Sequence, residues 1–272
     1  MGRPWIGSVL LLLVFLGAWQ WATGGAGGTE AAMDPEYAKL MGGPPPAAIP
    51  SPSAVATRAV ELGRHAFDRT EAGGLGIVWH LFASLGRVLL GYGLAVLVAV
   101  PLGFVIGLAP GLHRALDPFI QVLRPISPLA WMPLALYTLR DSSASAIFII
   151  FICALWPMLT STAAGAAGVR GDWINVSRVL GLPWHTKVWR IVLPAAVPFI
   201  LSGMRVSIGI AWFVIVAAEM VVGSNGIGYF IWNEWNNLQI ASMLVTVLMI
   251  GLVGLALDQS LGWVGRRLSF RE

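Results

Sequence analysis

Six apolar stretches, each about the length needed to cross a lipid bilayer as a helix, constrain this chain of 272 residues more than any other feature. A bilayer core of about 30 Å requires roughly 20 apolar residues in helical form. Hydrophobic residues make up 57% of the sequence and charged residues only 11%, whereas soluble domains average about 25% charged residues. The sequence therefore predicts an all-α polytopic membrane protein. The predicted spans are Trp5–Ala22, Trp79–Leu108, Pro125–Leu139, Ser145–Gly165, Pro194–Gly223 and Ile240–Val264.

The N-terminal apolar stretch admits two interpretations. Small residues follow it in the run ATGGAGG, as they do at the cleavage site of a signal peptide. Its apolar part is longer than the roughly 7–15 residues of a signal-peptide core, which favours a retained transmembrane helix over residues 1–24. The Pro- and Gly-rich residues 25–76 are predicted to be an extracytoplasmic linker, extended at GGPPPAAIPSPS, with a short surface helix at Ala54–Phe67.

The distribution of lysine and arginine predicts the orientation of the spans. With six spans and a cytoplasmic N-terminus, ten of the 17 basic residues lie in cytoplasmic segments and five lie outside. Cytoplasmic loops of membrane proteins are enriched in Lys and Arg, so both termini are predicted to be cytoplasmic, with a C-terminal tail at 266–272. The basic residues are scattered between apolar spans rather than clustered on a polar face, so nucleic acid is not an expected partner.

The cytoplasmic segment between the fourth and fifth spans differs from the rest of the chain. It reads NVSRVLGLPWHTKVWRIVLP from Asn175 to Pro194 and contains basic side chains but no acid. Asp172 is predicted to cap a first short helix, and Gly181 is predicted to end it in the left-handed conformation. Pro183 suits the first turn of a second helix. Two short helices joined by a fixed bend are therefore predicted, although periodicity and charge alone also allow an amphipathic helix lying on anionic lipid.

The spacing within this segment resembles the EAA loop of ATP-binding-cassette (ABC) importer permeases. That pattern ends in a glycine followed ten residues later by I-x-L-P, and here Gly181 precedes Ile191-Val192-Leu193-Pro194 at that spacing. The leading Glu-Ala-Ala of the family is replaced by Asn175-Val176-Ser177. The resemblance implies that residues 170–194 form a coupling helix that docks into a groove on a cytoplasmic ATPase subunit. The residues it assigns to this contact are Asp172, Trp173, Asn175, Ser177, Arg178, Gly181, Trp184, Ile191, Leu193 and Pro194.

The resemblance extends over roughly Trp79 to Val264 and implies a type I ABC transmembrane domain at residues 77–265. Stretches that carry it include PISPLAWMPLA, GMRVSIGIAW and NGIGYFIWNEWNN. They are most similar to permeases of the nitrate, nitrite, cyanate and bicarbonate branch, with sulfonate and taurine permeases as close relatives. The resemblance implies an importer of a small oxyanion, nitrate first, in the inner membrane of a bacterial cell.

The resemblance also implies partners: ABC ATPase subunits, an extracytoplasmic substrate-binding protein, and a second permease chain that completes a homodimer in the bilayer. The sequence supports the first of these independently, because the phosphate-binding motif G-x-x-x-x-G-K-[ST] needs a glycine before its lysine. The chain has two lysines, Lys39 after alanine and Lys187 after threonine, so neither can belong to this motif. If ATP drives the protein, another chain is therefore expected to bind it. No cofactor is expected in this chain, and ATP and magnesium are expected on the partner ATPase.

Three ionisable residues inside predicted spans are candidates for the translocation path. Arg205 lies about 16 Å along a helix from Pro194, at a depth where an ionisable side chain is costly. Its guanidinium could contact an oxyanion, or it could be structural and pair with helix carbonyls or a neighbouring acid. Glu219 lies about 37 Å from Pro194 and could be solvated, helix-pairing or, less simply, a proton relay. Arg87, with Ser84 one turn earlier, could line the path or pack the second span.

Other classes of function have weaker support. The sequence contains no nucleophile–base arrangement and no metal-ligand spacing among its four histidines, so no catalytic or metal-binding residue is assigned. A secondary transporter or channel would predict inverted repeats or paired ionisable groups at mid-bilayer, and neither is visible in the sequence. A membrane-anchored assembly protein without a transport role is the third alternative.

Overall fold

The chain folds into helices joined by short connections. The structure, a computed structural model, describes residues 4–24, 49–69, 75–223 and 225–268. Most of the predicted linker (25–48) and residues 269–272 of the predicted tail lie outside the described residues. The only isolated β-bridge among the described residues joins Arg69 and Leu75, and the all-α prediction is confirmed. The helices are α1 Pro4–Gly24, α2 Pro52–Arg64, α3 Ile77–Leu108, α4 Pro110–Leu123, α5 Pro128–Leu139, α6 Ser142–Ala167, α7 Gly171–Val179, α8 Trp184–Lys187, α9 Leu193–Val222, α10 Ile227–Asn236 and α11 Ile240–Leu268.

Within the described residues, five helices are long and apolar enough to cross a membrane, and a sixth span results if α4 and α5 count as one bent pair. The pair is bent by 91°, which corrects the predicted simple span at Pro125–Leu139. Ser127 has ψ 132°, because a residue before proline is forced out of the helical region, and Pro128 then starts α5. The bend therefore follows from the local sequence. The span was predicted to begin after α4, whereas α4 and α5 together form the candidate span in the structure.

Helix α6 is the centre of one compact unit, which comprises residues 80–230 and 250–272. Small residues allow α3 and α9 to approach it closely. A Cβ on Gly103 of α3 would lie 2.6 Å from Cβ of Thr162, and one on Gly203 of α9 would lie 2.6 Å from Cβ of Ser161. Such contacts are too short for any residue with a side chain, so these glycines fix the helix packing.

The other compact unit comprises residues 1–79 and 231–249. Helix α2, Pro52–Arg64, corresponds to the predicted surface helix Ala54–Phe67 with slightly different bounds. It begins after Ser51, whose Oγ accepts a hydrogen bond from the Ala54 N–H at 3.3 Å. Arg58 on α2 donates to Ser242 Oγ at 2.8 Å and pairs with Glu61 at 2.9 Å. These contacts attach the surface helix to the N-terminal part of α11.

The two short helices after α6 form as predicted, but their boundaries differ. Helix α7 begins at Gly171, so Arg170 and not Asp172 occupies the N-cap position, and no side chain caps the helix. Asp172 lies in the first turn, where a negative charge favours the helix dipole, and its carboxylate lies 3.4 Å from the Arg170 guanidinium. Pro183 occupies the N-cap position of α8 instead of its first turn.

Candidate functional site

The bend between α7 and α8 is a Schellman turn centred on Gly181. Gly181 has φ +58°. Its N–H donates to the Arg178 carbonyl at 3.0 Å, and the Leu182 N–H donates to the Ser177 carbonyl at 3.1 Å, which are the two bonds that define the turn. A residue with a Cβ pays about 1–2 kcal/mol for this conformation, so glycine is favoured. The predicted left-handed conformation of Gly181 is confirmed.

One face of the loop formed by residues 170–194 packs against the neighbouring helices. Val192 is fully buried in an apolar cluster with Ala166 and Val169, and Ile174 and Ile191 pack against it. The anchoring side therefore includes Ile191 of the I-x-L-P sequence. The loop is therefore fastened to the end of α6 by apolar packing.

The remainder of the loop exposes large apolar side chains. Val176, Val179 and Leu180 share one helical face by their spacing and are 55%, 88% and 66% exposed, and Trp184 after the bend is 73% exposed. We refer to these four residues as the loop surface. Arg178 beside them is also exposed. An exposed apolar patch with charged neighbours indicates a contact with another protein or with the membrane surface.

The loop surface continues directly into a long helix. Helices α8 and α9 form one continuous helix of 39 residues, Trp184–Val222, about 58 Å long at the usual rise. A π-type turn at Val188–Val192 joins them, and the Leu193 N–H donates to the Val188 carbonyl, five residues earlier. Pro194 has no N–H to donate, and a wider turn before it accommodates the missing donor. The helix that contains the fifth predicted span therefore begins ten residues before Pro194, the residue at which that span was predicted to begin.

At the far end of this helix, the side chain of Glu219 is buried (1% exposed) and accepts hydrogen bonds from two other elements. The Ser84 hydroxyl of α3 lies 2.7 Å from Oε2, and Nη1 of Arg87 donates to Oε1 at 2.6 Å. The Gly228 N–H of α10 donates to Oε2 at 3.0 Å. The carboxylate is thus a junction that joins α9 to α3 and α10.

Arg87 holds the connection between α9 and α10 at the same junction. Its Nη1 donates to the Asn225 carbonyl at 2.6 Å, its Nη2 donates to Asn225 Oδ1 at 2.5 Å, and its Nε donates to Ser143 Oγ at 3.1 Å. All three guanidinium nitrogens therefore bind acceptors of the protein. The structure brings the candidate path residues Arg87 and Glu219 together in a buried ion pair, and their role in the path stays a prediction.

The glycines of the α9–α10 connection allow the chain to reach this junction. Gly226 has φ +145°, and a Cβ there would overlap the carboxyl group of Glu219. A Cβ on Gly228 would overlap the Val216 carbonyl oxygen. The Gly226 N–H donates to His80 Nδ1 at 3.0 Å. Glycine at both positions is therefore a requirement of the close approach.

Arg205, the third candidate path residue, is paired on a different surface. Its Nε and Nη2 donate to the two carboxylate oxygens of Asp258 on α11, each at 2.5 Å. The side chains are 52% and 38% exposed. The structure therefore shows the pairing of Arg205 with a neighbouring acid, which was one of the two interpretations of this residue. The contribution of Arg205 to anion binding stays a prediction.

Sequence reasoning did not single out Asn225, Ser143 or Asp258. The pairs Arg87–Asn225 and Arg205–Asp258 join positions 138 and 53 residues apart, and no local pattern encodes such contacts. One signal was available for Asp258, because it is an acid inside an otherwise apolar span. Asn225 and Ser143 are ordinary residues at helix ends and carried no signal of their own.

Comparison with known proteins gives the family of the chain. Residues 99–270 match the family described as binding-protein-dependent transport system inner membrane component. The chain belongs to this family of permeases. Nitrate import permease protein NrtB of Synechocystis sp. is 43% identical over 216 residues, which cover 79% of this chain and 78% of that protein. Bicarbonate transport system permease protein CmpB of Synechocystis sp. is 42% identical over 202 residues, which cover 73% and 72%.

A solved structure supports the same fold for this permease. A chain of the MetNI methionine ABC transporter, in inward-facing conformations, matches with a TM-score of 0.63 at 14% identity and covers 71% of this chain and 96% of that chain. The predicted type I ABC transmembrane fold and the predicted nitrate and bicarbonate branch are confirmed. The family match includes the loop surface, Arg205 and Glu219 but begins after Ser84 and Arg87.

Proposed function

We propose that this chain is the permease subunit of an ABC importer that carries a small oxyanion, with nitrate as the first candidate. Two copies form the translocation path, an extracytoplasmic binding protein delivers the anion, and separate ATPase subunits hydrolyse ATP. Membership of the permease family and the similarity to NrtB and CmpB support this proposal.

The geometry that best supports the proposal is the continuous helix between the loop surface and Glu219. An ATPase that grips Val179 and Trp184 and then moves would displace the cytoplasmic end of this helix. Because the helix is unbroken, its other end moves as well, and Glu219 transmits that movement to α3 through Ser84 and Arg87. Movement of the two helices together opens one side of the path and closes the other, as alternating access requires.

Nitrate and bicarbonate are difficult to distinguish by similarity, since the two named relatives differ by one percentage point in identity. Both anions are planar, carry one negative charge and present three oxygens around a central atom. Uptake into proteoliposomes that contain the permease, its ATPase and its binding protein separates them. We expect ATP-driven uptake of nitrate labelled with ¹⁵N to exceed uptake of ¹⁴C-bicarbonate, and faster uptake of labelled taurine would overturn the oxyanion assignment.

A secondary transporter deserves a direct comparison, because the Arg205–Asp258 pair is the kind of ionisable pair that such proteins carry inside the membrane. The two classes differ in their source of energy. In the same proteoliposomes, uptake should require ATP and the ATPase subunit. Concentrative uptake by the permease alone, driven by a proton or sodium gradient, would contradict the proposal.

The contact with the ATPase is tested by copurification. Replacing Arg178, Gly181 and Trp184 together with alanine removes a charge, the bend and the largest exposed ring of the loop. We expect the tagged permease variant to lose its ATPase while it remains in the membrane. A matched triple variant on the surface helix, Arg58→Ala, Glu61→Ala and Arg64→Ala, should retain the ATPase. Equal retention by both variants would exclude the loop as the docking surface.

A further inference from the structure

A second group of charges lies around Gly262 on α11. The residues Asp258, Gly262 and Arg266 recur at intervals of four, so they lie on one helical face. Arg205 of α9 reaches the same place. A Cβ built on Gly262 would lie 3.6 Å from Nη1 of Arg266 and 3.7 Å from Cζ of Arg205. Two guanidinium groups therefore flank the position over Gly262.

The charges around this position do not cancel. Asp258 pairs with Arg205 through both of its carboxylate oxygens. Arg266, although close, has no described ion pair, so this group contains two positive charges and one negative charge. A Cβ at Gly262 would be in ordinary van der Waals contact with both guanidinium groups, so an atom seated over Gly262 touches Arg205 and Arg266 at once.

The position within the membrane spans indicates that this group meets water. Arg205 lies about 16 Å along its helix from Pro194, where the predicted span begins, and Asp258 lies about 15 Å from Leu268 at the end of α11. Their side chains are 52% and 38% exposed in the single chain. Half-exposed charges at this depth are costly against lipid, whereas they are tolerated against a water-filled cavity. The face that carries them is therefore expected to line such a cavity.

We propose that Arg205 and Arg266 bind a small planar oxyanion over Gly262, and that Asp258 competes with that anion for Arg205. The inference rests on the proposed function and adds to it an anion site within the cytoplasmic half of the permease. A guanidinium presents parallel N–H donors that match the oxygens of such an anion in pairs. When no anion is present, Asp258 occupies the same donors of Arg205 and neutralises it.

Exchange of Asp258 for the anion would make binding reversible. An uncompensated arginine pair would hold an anion tightly and retard its release, whereas a carboxylate within the protein displaces it. A transport site must bind its ion strongly enough to admit it and weakly enough to let it leave. Loss of the Asp258 carboxylate should therefore strengthen anion binding, whereas filling the space over Gly262 should weaken it.

The experiment measures nitrate binding to the purified complex of permease and ATPase. The readout is the nitrate concentration that gives half of the maximal rise in melting temperature, with gluconate salts holding ionic strength constant. Gly262→Val fills the space over Gly262 and should raise this concentration by about tenfold, the equivalent of one lost charge-assisted hydrogen bond. Arg266→Gln, which keeps the space over Gly262 but removes one guanidinium, should also raise this concentration. Asp258→Asn removes the competitor and should lower it several-fold.

Gly251→Val is the matched control, because Gly251 lies on the same helix and no atom lies within 4 Å of its Cβ position. It should bind nitrate as the parent complex does. A structural role for the ion pair alone predicts that Asp258→Asn weakens binding or destabilises the complex, and that outcome would overturn the proposal. So would loss of the permease dimer in Arg266→Gln, which would assign the face to a second copy.

Failure of the site and failure of the proposed function are separable. The parent complex is first tested for ATP-driven uptake in proteoliposomes with its binding protein. If it imports none of nitrate, nitrite, cyanate and bicarbonate, the proposed function is wrong. If it imports nitrate while Gly262→Val, Arg266→Gln and Asp258→Asn leave nitrate binding unchanged, only the site is wrong.

Discussion

At the scale of single residues, the buried ion pair of Arg87 and Glu219 dominates the end of α9. Replacing Glu219 with glutamine keeps the shape of the side chain but leaves the Arg87 guanidinium buried without a counter-charge. Breaking a buried pair by removing one partner costs about 3–5 kcal/mol of folding free energy. We expect a pronounced fall in the melting temperature of the purified Glu219→Gln permease, measured by differential scanning fluorimetry.

The control for this prediction is Glu61→Gln. Glu61 pairs with Arg58 at 2.9 Å, but its side chain is 53% exposed, and exposed pairs contribute about 0–1 kcal/mol. Its melting temperature should therefore stay close to that of the parent protein. Equal small shifts in the two variants would mean that water reaches the Glu219 junction and that it does not fasten α9 to α3.

At the scale of elements, the bend at Gly181 sets the direction of the loop surface and therefore the geometry of its proposed contact with the ATPase. Alanine at this position must adopt φ +58° at a cost of about 1 kcal/mol or unwind the turn. No neighbouring atom lies within 4 Å of its Cβ position, so the penalty belongs to the backbone alone. We expect Gly181→Ala to weaken ATPase binding by about fivefold, as judged by titration of the purified subunits.

Gly171→Ala is the comparison for this loop. Gly171 begins α7, has no neighbouring atom within 4 Å of its Cβ position and lacks a positive φ. Gly171→Ala adds the same methyl group without backbone strain, so the affinity of this variant for the ATPase should not fall. If both variants bind equally, the left-handed turn does not orient the docking surface.

The same kind of turn shows how much the sequence could predict. Gly181 was predictable because glycine favours the left-handed conformation and Pro183 follows it. Leu238 ends α10 with φ +57° and the same pair of hydrogen bonds, from its own N–H to Trp235 and from Gln239 to Glu234. Leucine gives no signal for that conformation, since tertiary structure and not local preference imposes it. Spans and bends were therefore predictable where residue type determines the backbone.

The residues of the candidate site were also predictable only where residue type gave a signal. Arg205, Glu219 and Arg87 were recognised because charge inside an apolar span is conspicuous. Their partners were not assigned, because Asp258 and Asn225 meet them only through the packing of distant helices. The loop was recognised by its spacing, whereas the unbroken helix from Trp184 to Val222 was missed because Pro194 suggested a new start.

At the scale of the whole molecule, the distribution of charge predicts a cytoplasmic loop surface and an external α10–α11 connection. Helix α9, which contains one predicted span, lies between the two segments in the sequence. The chain has a single cysteine, Cys153, so single-cysteine variants can be built after Cys153→Ala. His185 and Asn237 are both exposed and mark the two sides. A membrane-impermeant maleimide should label His185→Cys only in inside-out vesicles and Asn237→Cys only in right-side-out vesicles.

This labelling tests the premise on which both proposals depend. An ATPase can reach the loop surface only from the cytoplasm, and the anion site over Gly262 lies in the cytoplasmic half only if α9 enters from that side. Detergent-permeabilised vesicles, in which both variants should react, show that each cysteine is accessible. Labelling of His185→Cys in intact right-side-out vesicles would invert the chain in the membrane, remove the ATPase contact and place the Gly262 site near the external surface.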